Sequence, residues 1–295
     1  MLTLKLLDKN EALLYQRFTY PAYRSLLERD LAVDQTVVAV TASFLGEPVG
    51  LALALAKQQQ SSAEVLSIFV EHSYRRMGIG AALLIRLEEY LINRDYASVE
   101  LVYTTGEDAS SPVEGLLAKC NWAQTASRMM LCKGKAATIM TAAWMKRYSQ
   151  LPSTYSIIPW IEISEAERQD IQRSQMLKHW IPDDLVPFHH EAKLETLNSL
   201  ALRYNGKVLG WVINHRLSPE TIRYSCSFVR ADLQKLGRII SLYAEAGRRQ
   251  LSANVPNCIW TVPVFHESMA RFVRKRWVPY LSSLQETKGS FKRLK

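Results

Sequence analysis

Apolar and polar positions along this chain switch repeatedly between a period of two and a period near 3.6. LTLKLL (2–7) alternates like a short strand, while Leu13, Leu14, Phe18, Leu26 and Leu27 recur at helical spacing between Lys9 and Arg29, a stretch that Pro21 divides. TVVAVTASF (36–44) and PVGLALALA (48–56), joined by a Gly46-Glu47 turn, predict a hairpin, and EVLSIFV (64–70) predicts the next strand. VEHSYRRMGIG (70–80) then breaks the alternation before AALLIRLEEYL. Across that junction Ile79, Leu83, Leu84, Leu87 and Leu91 share one helical face. SVELVYTT (98–105) reads as another strand, and Pro112 opens a short helix ending at Lys119. Strands and helices alternating around one hairpin predict a mixed α/β sheet.

Residues 133–154 are rich in small residues, Lys, Pro and Ser, and read as a linker containing a short helix. After it the pattern restarts. YSIIPWIEI (155–163) is strand-like, Ser164 with Glu167 three residues later forms a capping-box signature, and LALRYNGKVLGWVINH (200–215) repeats the hairpin around Asn205-Gly206. TIRYSCSFV (221–229) leads into RADLQKLGRIISLYAEAGRRQ. With an offset of 159, Phe228-Val229 falls on Phe69-Val70, Gln234 on Arg75 and Gly237 on Gly78; with small shifts Gly210 matches Gly50 and Trp277 matches Trp122. Several matches in one order imply duplication of a whole unit. The expected organisation is a first domain at 1–135, a linker at 136–154 and a second, degenerate domain at 155–295.

The interrupted stretch carries the candidate chemistry. A strand that stops abruptly, a turn with its N–H groups aimed one way and a helix N-terminus together make an anion cradle. Arg75 and Arg76 can add charge-assisted hydrogen bonds, and a Cβ at Gly78 or Gly80 would hold a phosphate away from the backbone. Two familiar phosphate loops are excluded by reading: no Lys-Ser/Thr follows a glycine, and no third glycine completes GxGxxG.

Arg75-x-x-Gly78-x-Gly80 after a strand ending in Val70 resembles the acyl-CoA-binding motif of the GNAT superfamily of N-acetyltransferases, Gln/Arg-x-x-Gly-x-Gly/Ala. The resemblance covers about the first 130 residues and, more faintly, most of the remainder. It implies two tandem GNAT folds, each a mixed, mostly antiparallel twisted sheet flanked by helices. It further implies that Ile68, Phe69 and Val70 line pantetheine and that Arg75, Arg76, Met77, Gly78, Ile79 and Gly80 hold the pyrophosphate of an acyl-CoA, either acetyl-CoA or a long-chain acyl-CoA.

Acyl transfer to an amine needs a proton acceptor and, for the leaving thiolate, a proton source. Alternation places Glu64 on the strand face of Leu66, Ile68 and Val70, and it stands where histone acetyltransferases of the superfamily keep their glutamate base. A surface charge at a strand end is the other reading. The family's usual acid, a tyrosine in Tyr-x-x-x-Gly-Phe, is replaced by Leu117 with Asn121-Trp122 after it; Tyr103 is the substitute, with Cys120 second, although a half-buried strand aromatic is also consistent with Tyr103. In the second copy Ile239 replaces Gly80, Arg223 replaces Glu64 and Phe272 takes the tyrosine position, so that half reads as a scaffold.

Charge separates the halves. Residues 1–150 hold 16 basic against 15 acidic residues, which leaves 21 of the 37 Lys and Arg against 13 of the 28 Asp and Glu, a net of +8, for the second half. That surplus fits an acidic partner or a merely solvated basic face. The KGSFKRLK tail is too sparse to claim nucleic acid, which is not expected. The four cysteines are too far apart for a metal knuckle, and His189-His190 beside Asp183-Asp184 lacks a second ligand cluster, so no metal is expected. Trp180, Phe188 and Trp211 read as core or loop anchors. No secretory signal and no membrane span is evident, which makes the cytoplasm the expected location.

Two functions remain open from sequence. One is an acyl-CoA-dependent N-acyltransferase acting on an amine of a small molecule or peptide, including the fatty-acyltransferases that lipidate Lys or ornithine side chains of ribosomal peptides, which tandem GNAT proteins also resemble. The other is a non-catalytic acyl-CoA-binding regulatory module whose basic half engages an acidic partner.

Overall fold

The computed structural model describes residues 1–29, 36–57, 61–105, 112–148 and 150–295. The strands of the first half are β1 (Leu2–Leu6), β2 (Val37–Phe44), β3 (Glu47–Lys57), β4 (Ser62–Val70), β5 (Ser98–Thr105) and β6 (Ala126–Lys135). Those of the second are β7 (Tyr155–Pro159), β8 (Leu200–Tyr204), β9 (Lys207–Ser218), β10 (Thr221–Val229), β11 (Asn257–Pro263) and β12 (Ser283–Arg293). The helices are α1 (Ala12–Tyr15), α2 (Arg24–Leu27), α3 (Ile79–Asn93), α4 (Pro112–Lys119), α5 (Ala136–Ile139), α6 (Ala143–Tyr148), α7 (Glu165–Lys178), α8 (Ala231–Gln234), α9 (Arg238–Ser252) and α10 (Glu267–Phe272). Among the described residues no helix is long and apolar enough to cross a membrane.

Two compact units result, Met1–Arg128 with Glu286–Lys295, and Met129–Gln285. These bounds differ from 1–135 and 155–295 for two physical reasons. The stretch read as a linker buries Ile139, Ala142 and Met145 in the core of the second unit; its Ser149 lies outside the described residues. The basic C-terminal tail, for its part, is a strand of the first unit, and its lysines are matched there. Lys288 pairs with Glu114 at 2.7 Å, Lys292 with Glu88 at 2.6 Å, and Lys295 with Asp95. Part of the second half's positive surplus is therefore neutralised by carboxylates of the first unit.

In the first unit the sheet order is β1-β2-β3-β4-β5-β12, antiparallel except between β4 and β5. α3 buries Ile79, Leu83, Leu84, Leu87 and Leu91, the face expected from spacing, against one side of it. Five such side chains supply roughly 1.5–3 kcal/mol each. On the other side Ala12, Tyr15, Phe18 and Leu27 pack with Leu51 and Leu53. The helical segment expected at 9–29 is broken into short helical turns, with Leu13 and Leu14 exposed. Pro21 opens one of these turns; Phe18 and Leu27 of the expected set are buried, and Ala12 and Tyr15 replace Leu13 and Leu14 beside them.

The second unit repeats this arrangement in the order β6-β11-β10-β9-β8-β7, antiparallel except between β10 and β11. Ser164 and Glu167 close the expected capping box at the start of α7, and Trp211 is fully buried with Trp180 and Phe188 packed around the same cluster. The duplication is visible in a shared close approach. A Cβ at Gly50 would lie 2.8 Å from the Phe69 carbonyl oxygen, and one at Gly210 would lie 3.0 Å from that of Phe228. Glycine at both positions lets the neighbouring strand end come in. The four cysteines are buried with free thiols.

Candidate active site

β4 and β5 run in parallel contact for only four residue pairs, Ser62–Val65 against Ser98–Leu101. Beyond Val65 the end of β4 stays with β3, up to Val70 opposite Gly50, while the end of β5 stays with β12, from Val102 opposite Gly289 to Thr105 opposite Glu286. The two strands hold different neighbours and so part. β4 then runs into a left-handed turn in which Arg76 (φ 66°) and Gly78 (φ 82°) precede the first residue of α3. Among the described residues the backbone N–H groups of Arg76, Met77 and Gly78 have no backbone acceptor, and the first N–H groups of a helix are unpaired by construction. Together with the positive end of the α3 dipole they form an open anion cradle. Ile68, Phe69, Val70 and Arg75 to Gly80 are thus brought together at one edge.

Two details differ from the sequence reading. Arg75 folds back, its Nε donating to Val70 O at 3.0 Å with its guanidinium 5.4 Å from the Phe69 ring centroid. The first motif position thereby ties the turn to the strand that feeds it. Gly80 would direct a Cβ towards Leu116 Cδ1 (3.7 Å) and Val70 Cγ2 (3.8 Å), with ordinary contacts. A methyl fits there; a branched side chain would have to push α3 away from the strand end.

Glu64 lies on a different face from the one alternation gives. Leu53 pairs with Ser67 but Ala54 with Val65, so Leu66 is an extra residue that bulges β4 and inverts the alternation. Ile68 and Val70 pack with the α3 core together with Ala63 and Val65. Glu64 takes the opposite face, that of Ser67, which hydrogen-bonds Thr19 at 2.7 Å, and of Phe69, 5.8 Å from Phe18. On that face Glu64 stands beside Glu100, its register partner in β5, and Arg128 reaches Glu100 at 3.2 Å. Sequence reasoning missed Glu100, although its place between the core residues Val99 and Leu101 marks it as facing away from α3.

Tyr103 sits on the α3 side. Its hydroxyl donates to Glu114 Oε1 at 3.1 Å, and Lys288 Nζ donates to the same oxygen at 2.7 Å. Burial, with the Glu114 carboxylate beside it, raises the phenol above its ordinary value; the Lys288 and Tyr103 hydrogen bonds lower that of Glu114. Leu117 is fully buried in the core and carries no proton to give, and Cys120 is buried beside it, its thiol pushed up by burial. His190 bonds the Asp184 carbonyl, whereas the Asp184 carboxylate goes to His266; among the described residues no group of three metal-ligating side chains converges.

Residues 6–122, a stretch that holds the short parallel pair and the left-handed turn, match the model of the Acetyltransferase (GNAT) family. The matched stretch lies within the first unit, and that unit is similar to the GNAT family. The fold of the whole chain is similar to that of a tandem GNAT protein from the clavulanic acid biosynthesis pathway (12% identity, 100% of this chain and 99% of that one, TM-score 0.57). It is also similar to a GCN5-related N-acetyltransferase from Sphaerobacter thermophilus (15% identity, 100% and 96%, TM-score 0.59). A third likeness is to a glucosamine N-acetyltransferase region of a fungal multi-domain β-N-acetylglucosaminidase (13% identity, 98% and 38%, TM-score 0.58). At these identities the likeness establishes the fold: two tandem GNAT folds in one chain. No curated protein sequence matches significantly.

Proposed function

We propose that the first unit is an acyl-CoA-dependent N-acyltransferase that moves an acetyl or longer acyl group to an amine of a small molecule or peptide. The observation that carries this reading is the parting of β4 and β5 directly above the open turn at Arg75–Gly80. In this reading the N–H groups of Arg76 to Gly80 hold the pyrophosphate, and the free edge of Ile68, Phe69 and Val70 takes the pantetheine. The acceptor approaches on the opposite face, where paired carboxylates suit a protonated amine. Glu64 removes its proton before attack.

On the α3 side Tyr103 supplies a proton to the departing thiolate after leaving Glu114, and Lys288 offsets the phenolate that forms. The resemblance to fatty-acyltransferases of ribosomal peptides keeps long-chain donors within the proposal. Release of free thiol from acetyl-CoA and palmitoyl-CoA with a mixed pool of amines and peptides tests it. Thiol release that requires the amine and falls to background in Gly80→Ile is the expected result. CoA binding without any amine-dependent release would replace the enzyme by the non-catalytic acyl-CoA-binding module, whose basic half would then be tested for an acidic partner.

A further inference from the structure

The second unit repeats the strand, turn and helix of the first, yet the two turns differ in what lies over them. β10 and β11 pair in parallel at Thr221–Tyr224 with Asn257–Trp260, and Gln234 Nε2 donates to Val229 O at 2.8 Å as Arg75 Nε does to Val70 O. A Cβ at Gly78 would meet nothing within 4 Å, whereas one at Gly237 would come within 2.5 Å of Tyr148 Cε1. Tyr148, the last residue of α6, is held by Ser241 Oγ donating to its carbonyl oxygen at 2.6 Å. The N–H groups of this turn are also consumed internally, Leu236 N by Leu233 O and Gly237 N by Gln234 O. Arg238, next in sequence, lies over the Tyr155 ring at 4.5 Å. A pyrophosphate finds the Tyr148 ring in the space over this turn, with two of the turn's N–H groups already taken.

Beyond the covered turn there is space. A cavity of about 670 Å³ lies in the second unit, with Phe228, Ile240, Trp260, Phe272 and Trp277 among its walls. That volume is within the range of small-molecule sites. Its polar groups answer one another: Tyr224 OH donates to Gln250 Oε1 at 2.9 Å, and the Ser227 and Tyr243 hydroxyls share a hydrogen at 2.6 Å. Burial raises both phenols above their ordinary value, which keeps them neutral. His266 on the wall is joined to Asp184 at 2.7 Å. Glu267, exposed at the mouth, is the other charged group of the lining; an ion passing it to the apolar walls at Phe228, Ile240, Trp260, Phe272 and Trp277 would lose its hydration with no charge among them to replace it.

We propose that the cavity of the second unit is a binding site for an uncharged apolar ligand, alkyl or aryl, that carries no phosphate. The second copy thus holds a cavity beside a covered turn, and this goes beyond the acyl transfer assigned to the first unit. The neutral fluorophore N-phenyl-1-naphthylamine tests it, because Trp260 and Trp277 stand in the wall with ring centroids 5.5 Å apart and can transfer excitation to it. Saturable transfer is expected, displaced by 1-dodecanol and insensitive to CoA and acetyl-CoA. Val262→Trp, which fills the cavity, and Ser268→Trp at its exposed rim should each weaken the probe at least tenfold, and Tyr148→Ala should make CoA a competitor. Three results would overturn the proposal: no saturable transfer, unchanged affinity in both Trp variants, or displacement by CoA as strong in the wild type as in Tyr148→Ala. A Tyr148→Ala protein blind to CoA would overturn the role of Tyr148 as the cover.

Discussion

Lys292→Met probes how the last strand closes the first unit. Lys292 Nζ donates to Glu88 Oε2 at 2.6 Å and to Cys120 O at 2.8 Å, while Trp122 Nε1 donates to the other Glu88 oxygen at 2.7 Å. Glu88 is 5% exposed, so its carboxylate depends on these two donors. Methionine keeps the length and apolar stem of lysine, so the change removes the charge with little loss of packing. Breaking a buried ion pair from one side costs about 3–5 kcal/mol. The Lys292 side chain is 24% exposed, and water can replace part of its solvation, so about 2–3 kcal/mol is expected here. For a unit of this size that lowers the melting temperature by roughly 8 °C. Trp122 is the one tryptophan of the first unit, so its fluorescence follows this melt. In the Lys292→Met background, Glu88→Gln removes the uncompensated charge while still accepting from Trp122, and should restore more than half of the loss. An unchanged melting temperature, or a further loss on adding Glu88→Gln, would refute the reasoning.

Other predictions follow from the same geometry. Glu167 accepts two hydrogen bonds from Arg203, at 2.7 and 2.9 Å, and is lowered to about 2. A depressed carboxylate stabilises above its unfolded value and loses that contribution as pH falls from about 4.5 towards 2, on the order of 2–3 kcal/mol. Urea midpoints measured across that window should fall less steeply in Glu167→Gln than in the wild type, and parallel slopes would count against the pairing. Tyr103→Phe should lower kcat for acyl transfer about tenfold or more with KM for acyl-CoA little changed, and an unchanged kcat would remove Tyr103 from the mechanism. Gly50→Ala and Gly210→Ala should each cost about 1–3 kcal/mol, since a Cβ would meet a strand-end carbonyl. Only Gly50→Ala should also raise KM for acyl-CoA; equal effects on KM would contradict the assignment of the two units.

Local chemistry was legible in the sequence, and long-range pairing was not. The α3 face, the capping box at Ser164 and the hairpins each depend on residues a few positions apart, and each appears where its spacing places it. The partnership of β12 with β5 joins residues such as Lys288 and Tyr103, 185 positions apart, and no periodicity in KGSFKRLK announces it. The domain bounds went astray for that reason. Alternation puts Glu64 on the wrong face, because one extra residue at Leu66 inverts every later side chain of β4. Glu100 and Lys288 escaped notice since each gains meaning only from a neighbour in another strand. The Tyr148 cover was equally hidden, as it lies 89 positions before the glycine it covers.

The central claim is that one turn of the pair is open to phosphate and the other is closed, so the first unit holds the acyl-CoA. Calorimetric titration of the full chain with CoA tests this most directly, using Gly80→Ile and Gly237→Ala as the two arms. One site per chain, lost in Gly80→Ile and retained in Gly237→Ala, is the predicted result. Two sites per chain, or a single site that survives Gly80→Ile and disappears in Gly237→Ala, would contradict it.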